Sequence, residues 1–292
     1  MTTQEAGFRR QVWHYYRAHG RHDLPWRQTH DVYKVLVSEV MLQQTQVDRV
    51  IPFYKNFIRK FPTAQKLAAA PLSEVLKHWQ GLGYNRRAKL LREAAKELAT
   101  KKISTVQELE ALPGVGPYTA RAVTAFAFNQ DGMVIETNIR TAVIHHFFAS
   151  RSADTSSPRC APAARPIQHL GKNVSALRVT DAEIADVLDR VLPKGRAREW
   201  YSALMDYGAH LKRTGISHNT KSKTYTKQSA FRGSLREARG AIVRELAKGG
   251  ATDTRLAGLL GRERRAQVLE ALGALREEGL ITKKGRNYIL AD

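Results

Sequence analysis

From Phe8 to Ala99 the apolar residues recur at three- and four-residue spacing. The pattern runs through Val35-Leu36-Val37 and Val40-Met41-Leu42, then Leu67, Val75-Leu76, Leu82, Leu90-Leu91 and Leu98, the period of helices that bury one face. Strand-like alternation is nearly absent here. Leu24-Pro25, Phe61-Pro62, Ala70-Pro71 and Gly81-Leu82-Gly83 cut the region into short helices, and Pro71 with Glu74 reads as a helix start. The stretch Ser150–Arg165 is small, polar and punctuated by proline, as expected of a surface loop. Helices resume at Asp181, where Thr180 and Glu183 form a capping box, and again over Ala197–Leu211. A basic connector of low apolar content, Lys212 to Arg239, follows.

The expected fold class is therefore all-α, with a main domain over 1–227 and a small module over 228–292. In that module Ala238–Ala247, Asp253–Leu260 and Arg264–Glu278 read as helices, and Leu280–Leu290 as a hairpin turning at Lys284-Gly285-Arg286. Three helices and a basic hairpin are the layout of a winged-helix DNA-binding module. The alternative is an appendage that only packs on the main domain.

Composition narrows the partners. The chain of 292 residues has 48 Lys and Arg against 27 Asp and Glu, a net charge of +21, and its pI is near 10.3. On a chain with 42% hydrophobic residues this points to a folded protein that binds polyphosphate; a merely soluble or ribosome-adjacent basic surface is the other reading. The longest apolar run, Ala122–Phe128, is too short to span a membrane, and Met1–Trp13 has no apolar signal core. No membrane partner and a cytoplasmic, nucleoid-associated location are expected. A single cysteine, Cys160, excludes an internal disulfide and a four-cysteine metal site.

The most specific local signal is Leu109-Glu110-Ala111-Leu112-Pro113-Gly114-Val115-Gly116-Pro117-Tyr118-Thr119-Ala120. One helix ends near Leu112 and another starts near Tyr118. Gly114 and Gly116 are expected where side chains would clash, and backbone N–H groups at the second helix's start face outward toward a phosphate. This is a helix-hairpin-helix signature, with Leu112, Gly114, Val115, Gly116 and Thr119 as DNA-binding candidates; it grips backbone without reading sequence.

Around it, Leu24-Pro25-Trp26-Arg27, Ser38-Glu39-Val40-Met41-Leu42-Gln43-Gln44-Thr45-Gln46-Val47, Gly81-Leu82-Gly83-Tyr84 and Ala203-Leu204-Met205-Asp206-Tyr207-Gly208-Ala209 resemble the adenine DNA glycosylase (MutY) branch of the endonuclease III superfamily. The resemblance is dense over 8–148 and implies a helix-hairpin-helix glycosylase fold. It also implies an enzyme that flips a nucleotide out of double-stranded DNA and cleaves its N-glycosidic bond.

Purine departure needs a ring nitrogen protonated by a carboxyl shielded from water. Glu39, on an otherwise apolar helix, fits that need, and the resemblance makes it the general acid. Glu136 stands where the superfamily has an aspartate that stabilises the sugar cation, and Asn138 matches an asparagine that holds this segment. Tyr118 replaces the Schiff-base lysine of bifunctional relatives, which implies a monofunctional enzyme. Gln44 and Tyr84 resemble the wedge that fills the stack after flipping, and Trp26 and Arg27 resemble walls of the adenine pocket. Ser202 falls where adenine-specific members carry Gln or Glu.

Two departures matter. The four-cysteine iron–sulfur loop of the family would follow Gly208-Ala209, yet no cysteine stands there, so no cluster and no other cofactor is expected. Lys212, Arg213, Lys221, Lys223 and Lys227 become the expected DNA contacts in its place. His210 and His218 read as surface residues. The resemblance also allows for a monovalent cation on the hairpin carbonyls. The usual Nudix-like reader of 8-oxoguanine has no counterpart in residues 228–292. The expected function is a monomeric, monofunctional glycosylase that excises a mispaired purine, adenine opposite guanine or 8-oxoguanine. A glycosylase for hypoxanthine, uracil or thymine, and a damage-binding protein with impaired catalysis, are the alternatives.

Overall fold

The computed structural model describes residues 1–149, 178–217 and 230–292. The loop Ser150–Arg165 with Cys160, together with His218, Lys221, Lys223, Lys227 and the expected boundary at 227/228, lies outside the described residues. The chain is mostly helical and divides into two units, one from Met1–His22 and the segment beginning at Asn129, the other from Asp23–Phe128 and the C-terminal segment.

In the second unit the apolar periodicity becomes α2 (Val32–Leu42), α3 (Val47–Lys60), α4 (Ala64–Ala69), α5 (Leu72–Trp79), α6 (Arg86–Thr100), α7 (Val106–Glu110) and α8 (Pro117–Phe128). The breaks fall where proline dictates them: Phe61 caps α3, Ala70 caps α4, and Pro71 precedes α5 with Glu74 in its first turn. Helix α2 is buried continuously from Val35 to Met41, which is why its sequence is apolar on every side. Its start is fixed by Asp31, whose side chain accepts the Lys34 N–H at 2.9 Å.

The C-terminal segment of this unit contains α12 (Leu235–Leu246), α13 (Asp253–Ala257), α14 (Arg265–Glu277) and strands β1 (Ala251–Thr252), β2 (Ile281–Lys284) and β3 (Asn287–Leu290). The strands form an antiparallel sheet in the order β1-β3-β2, with Lys284 opposite Asn287 across the Gly285 turn. This is the expected helices-then-hairpin layout, with β1 added, a strand of two residues too short to leave a period in the sequence. Apolar residues of α12, α14 and the hairpin are continuous with the core of α2–α8. Lys89 of α6 donates to the Glu278 carbonyl at 2.6 Å, and Ser73 Oγ donates to Asp292 Oδ1 at 2.6 Å.

The first unit comprises α1 (Thr3–His19), α9 (Thr137–Phe147), α10 (Asp181–Val191) and α11 (Ala197–Arg213). The Thr180–Glu183 capping box is present as expected, and Thr2 with Glu5 forms a second one. Trp200 is fully buried beside Trp13 and Phe8, at ring-centroid distances of 5.3 and 6.1 Å. The buried Asp206 carboxylate accepts from both the backbone N–H and the guanidinium of Arg21, satisfying a charge that is costly to bury alone. Helix α11 packs closely on α9 because residue 208 is glycine: a Cβ there would run into the backbone of Asn138.

Candidate active site

The residues expected to carry the chemistry are distributed over both units. In the second unit, Glu39 sits on the inner length of α2 and is only 6% exposed. The Tyr118 hydroxyl, at the start of α8, lies 3.4 Å from Glu39 Oε2 as donor, and its ring is 36% exposed. One α8 residue on, Thr119 Oγ1 accepts from Gln43 Nε2 at 3.3 Å. These two contacts tie the C-terminal half of α2 to the start of α8, placing an acid shielded from water under an accessible phenol. That is the environment a general acid requires.

The hairpin before α8 begins with a capping box on α7, made by Thr105 and Glu108. Gly114 has φ +77, and a Cβ there would approach Leu90 Cβ to 2.7 Å, so both its conformation and its packing require glycine. The expectation for Gly116 needs correcting. Its φ is not positive and nothing lies within 4 Å of where its Cβ would be, so no neighbour excludes a side chain. Its bareness keeps the backbone at the α8 N-terminus approachable from outside, which suits an anion. Leu112, Val115 and Thr119 turn their side chains inward, so the hairpin offers backbone rather than side-chain donors.

Gln44 and Tyr84 occupy left-handed backbone conformations, with φ of 56 and 48. Among described residues the other non-glycine with positive φ is Asn129, a residue type that tolerates it. Both Gln44 and Tyr84 are exposed. Exposed, strained side chains at paired turns are characteristic of residues held out for contact. A residue that the sequence reading missed supports both. The Arg87 guanidinium donates to the carbonyls of Val40, Met41 (3.4 Å) and Gln43 (3.0 Å) at the end of α2, and to those of Leu82 (3.5 Å) and Gly83 (3.3 Å) before Tyr84. It lies 5.4 Å from the ring centroids of both Trp79 and Tyr84. Burial pushes its pKa down to about 10. In sequence it is one of two adjacent arginines, and nothing there separates it from exposed Arg86. Trp26 packs in the core against Tyr54, with ring centroids 5.4 Å apart, and Arg27 ends the same short 3-10 turn, Pro25–Arg27.

In the first unit, Glu136 is the N-cap of α9. Its Oε1 accepts from the backbone N–H groups of Asn138 and Ile139 at 2.8 and 3.0 Å, and its Oε2 accepts from Thr137 Oγ1 at 3.1 Å. Aspartate is the commoner cap; here the longer glutamate folds back to do the same work, which fixes its carboxylate at the positive end of the helix dipole. Lys212, expected as a DNA contact, instead donates to Asn138 Oδ1 at 2.7 Å. Its burial lowers its pKa, opposed by the negative charge of Glu136. Asn138 is thus fixed from both sides, by Gly208 contact and by Lys212. Ser202 is buried within α11. Arg213 is exposed and donates to the Tyr15 hydroxyl at 3.3 Å, and His210 stacks on the Tyr15 ring at 4.6 Å.

The residues after Ala209 do not fit a four-thiolate cluster. The whole chain has one cysteine, and His210, Lys212 and Arg213 engage aromatic and amide groups instead. Among the described residues no group of three or more His, Cys, Asp or Glu is placed to hold a metal ion.

Comparison with known proteins agrees with this geometry. The family described as HhH-GPD superfamily base excision DNA repair protein matches residues 37–160. The adenine DNA glycosylase of Mycolicibacterium smegmatis is 44% identical over 144 residues, covering 48% of this chain and 49% of that protein. The adenine DNA glycosylase of Mycobacterium tuberculosis is 38% identical over 200 residues, 67% of this chain and 58% of that protein. The chain thus spans about half the length of these relatives. The solved structure of a thermostable thymine-DNA glycosylase shares the fold, with a TM-score of 0.57 at 24% identity over 75% of this chain and 93% of that one. From its hairpin, its α2 string and these relatives, the chain belongs to the helix-hairpin-helix superfamily of base excision DNA repair proteins, as a MutY-like member of the endonuclease III group.

Proposed function

We propose that this protein is a monofunctional DNA glycosylase that removes a mispaired purine from double-stranded DNA, adenine opposite guanine or 8-oxoguanine. The observation that carries the reading is the buried Glu39 carboxyl beside the Tyr118 hydroxyl. Glu39 donates its proton to a ring nitrogen of the flipped purine, and the N-glycosidic bond breaks with its electron pair leaving on the base. The sugar is left as an oxocarbenium ion, which the fixed Glu136 carboxylate stabilises until water adds at C1′ and loses a proton. Tyr118 presents no amine where a Schiff-base lysine would stand, so the strand stays intact.

The hairpin at Leu112–Gly116 clamps the DNA backbone, with Gln44 and Tyr84 as the wedge. The protein acts as a monomer without an iron–sulfur cluster, in the cytoplasm at the nucleoid. The deciding experiment is a single-turnover panel of duplexes carrying each mispair, with borohydride added to trap any imine. Adenine release with little trapped adduct is expected. Release confined to pyrimidine or hypoxanthine mispairs would replace the adenine reading, and binding with no release at all would make the protein a damage-binding module.

A further inference from the structure

Tyr84 is touched from two sides by arginines belonging to different parts of the second unit. Arg87 lies on one side. The other is Arg236 of α12, whose Nη1 donates to the Tyr84 hydroxyl at 3.2 Å and whose guanidinium lies 5.5 Å from the Tyr84 ring centroid. Arg236 also reaches the ring of Phe231, at 5.9 Å, and the carbonyl of Ala230, at 3.4 Å. The result is an alternating series of aromatic rings and guanidinium groups: Trp79, Arg87, Tyr84, Arg236, Phe231. It begins at a fully buried ring and ends at one that is 56% exposed.

An exposed tyrosine at a strained turn samples several rotamers, and ordering it costs side-chain entropy at the moment of use. Arg236 removes part of that cost in advance, because a hydrogen bond to the hydroxyl fixes the ring at its far end while Arg87 fixes its base. A flat amide and a ring probing a base pair discriminate only if the ring is held where the wrong base would clash.

We propose that Arg236 is a specificity-determining positioning residue, through which the C-terminal module sets the Tyr84 wedge and so the choice of opposite base. This rests on the reading of Tyr84 as a wedge in a mispair glycosylase. It gives the module a role in lesion recognition besides backbone contact, with Phe231 as an exposed aromatic face at the end of the series for a nucleobase of the opposite strand.

The test uses the full chain with Arg236→Ala, Arg236→Lys, Phe231→Ala, Tyr84→Phe and the Arg236→Ala/Tyr84→Phe double variant. Single-turnover adenine release is measured opposite guanine and opposite cytosine. Arg236→Ala is expected to lower the guanine-to-cytosine rate ratio about fivefold to tenfold. Arg236→Lys should recover part of it, and Phe231→Ala should lower it by a smaller factor. The double variant should lose no more than either single change, because both remove one contact. Unchanged melting temperatures would show that the fold is retained. A ratio within twofold of wild type in Arg236→Ala, or additive losses in the double variant, would overturn the proposal.

The same variants are also compared in a Glu39→Gln background for binding to mispaired against matched duplex. If wild type releases no base, the glycosylase reading fails, and the binding ratio still decides whether Arg236 sets mispair recognition.

Discussion

Arg87→Met is the sharpest perturbation of the scaffold around the wedge. It keeps most of the side chain's apolar length and removes every donor. The structure gives the magnitude. The bonds to Val40 and Gln43 are short, while those to Met41, Leu82 and Gly83 are 3.3–3.5 Å long. Counting the two short ones at ~1.5–3 kcal/mol each gives a gross loss of about 3–6 kcal/mol. Against this stands the recovered cost of burying a guanidinium, a cost visible in its lowered pKa and in its Nε, which finds no acceptor. The net loss is about 2–3 kcal/mol, a fall in melting temperature of roughly 5–10 °C.

The functional loss should exceed what this instability explains. The carbonyls Arg87 holds immediately precede Gln44 and Tyr84, whose left-handed conformations cost ~1–3 kcal/mol each when nothing imposes them. Freed of Arg87, both turns relax, and single-turnover excision measured well below the melting temperature should fall about tenfold to a hundredfold. Arg87→Lys should recover little, because one ammonium cannot span carbonyls of both turns. A 2-aminopurine reporter beside the lesion should show slower flipping. Arg87→Met with an unchanged melting temperature would refute the hydrogen-bond reasoning. A lowered melting temperature with an unchanged excision rate would refute the link to the wedge.

Other outcomes follow from the same geometry. Glu39→Gln should abolish excision while leaving duplex affinity within about twofold, since it removes the proton but keeps the shape; comparable turnover by that variant would exclude Glu39 as the acid. Glu136→Asp should retain the α9 cap and measurable excision, whereas Glu136→Ala should lose ~0.5–2 kcal/mol of stability and nearly all activity, read by melting and by single-turnover kinetics. Gly208→Ala should destabilise the first unit by about 3 kcal/mol or more, because the clash is with backbone that cannot move aside; wild-type melting would contradict the close α9–α11 approach.

His146 gives a pH dependence. Burial lowers its pKa from the usual 6.5 to about 4. Between these values the unfolded chain binds the proton and the folded one does not, so stability is lost as pH falls from about 6.5 towards 4. His146→Gln should flatten melting temperature against pH in that window.

How much of this was legible in the sequence depended on the kind of force involved. The α2 string, the proline breaks and the Thr180–Glu183 box are local, and each appears where the sequence placed it. The hairpin was legible for the same reason, though Gly114 and Gly116 proved to serve different ends: one relieves a clash and the other leaves an approach open. Arg87, Lys212 and Arg236 were not legible, because their partners stand as far as 152 residues away in the chain and an arginine's neighbours in sequence say nothing about which carbonyls it will meet.

Lys212 shows most clearly what sequence reasoning could and could not do. Where a cluster loop would begin, the chain carries cations instead of thiolates, and charge alone made them DNA contacts. The structure turns Lys212 inward, where its ammonium bonds Asn138 and faces the charge of Glu136. A half-buried ammonium is tolerated only where a carboxylate or amide repays its lost hydration, and both are supplied by the start of α9. The segment that replaces the cluster loop is therefore coupled to the proposed sugar-cation stabiliser. Lys212→Met should slow excision by about tenfold with a smaller change in duplex affinity, whereas a lysine serving only as a phosphate contact would lose affinity and salt dependence first.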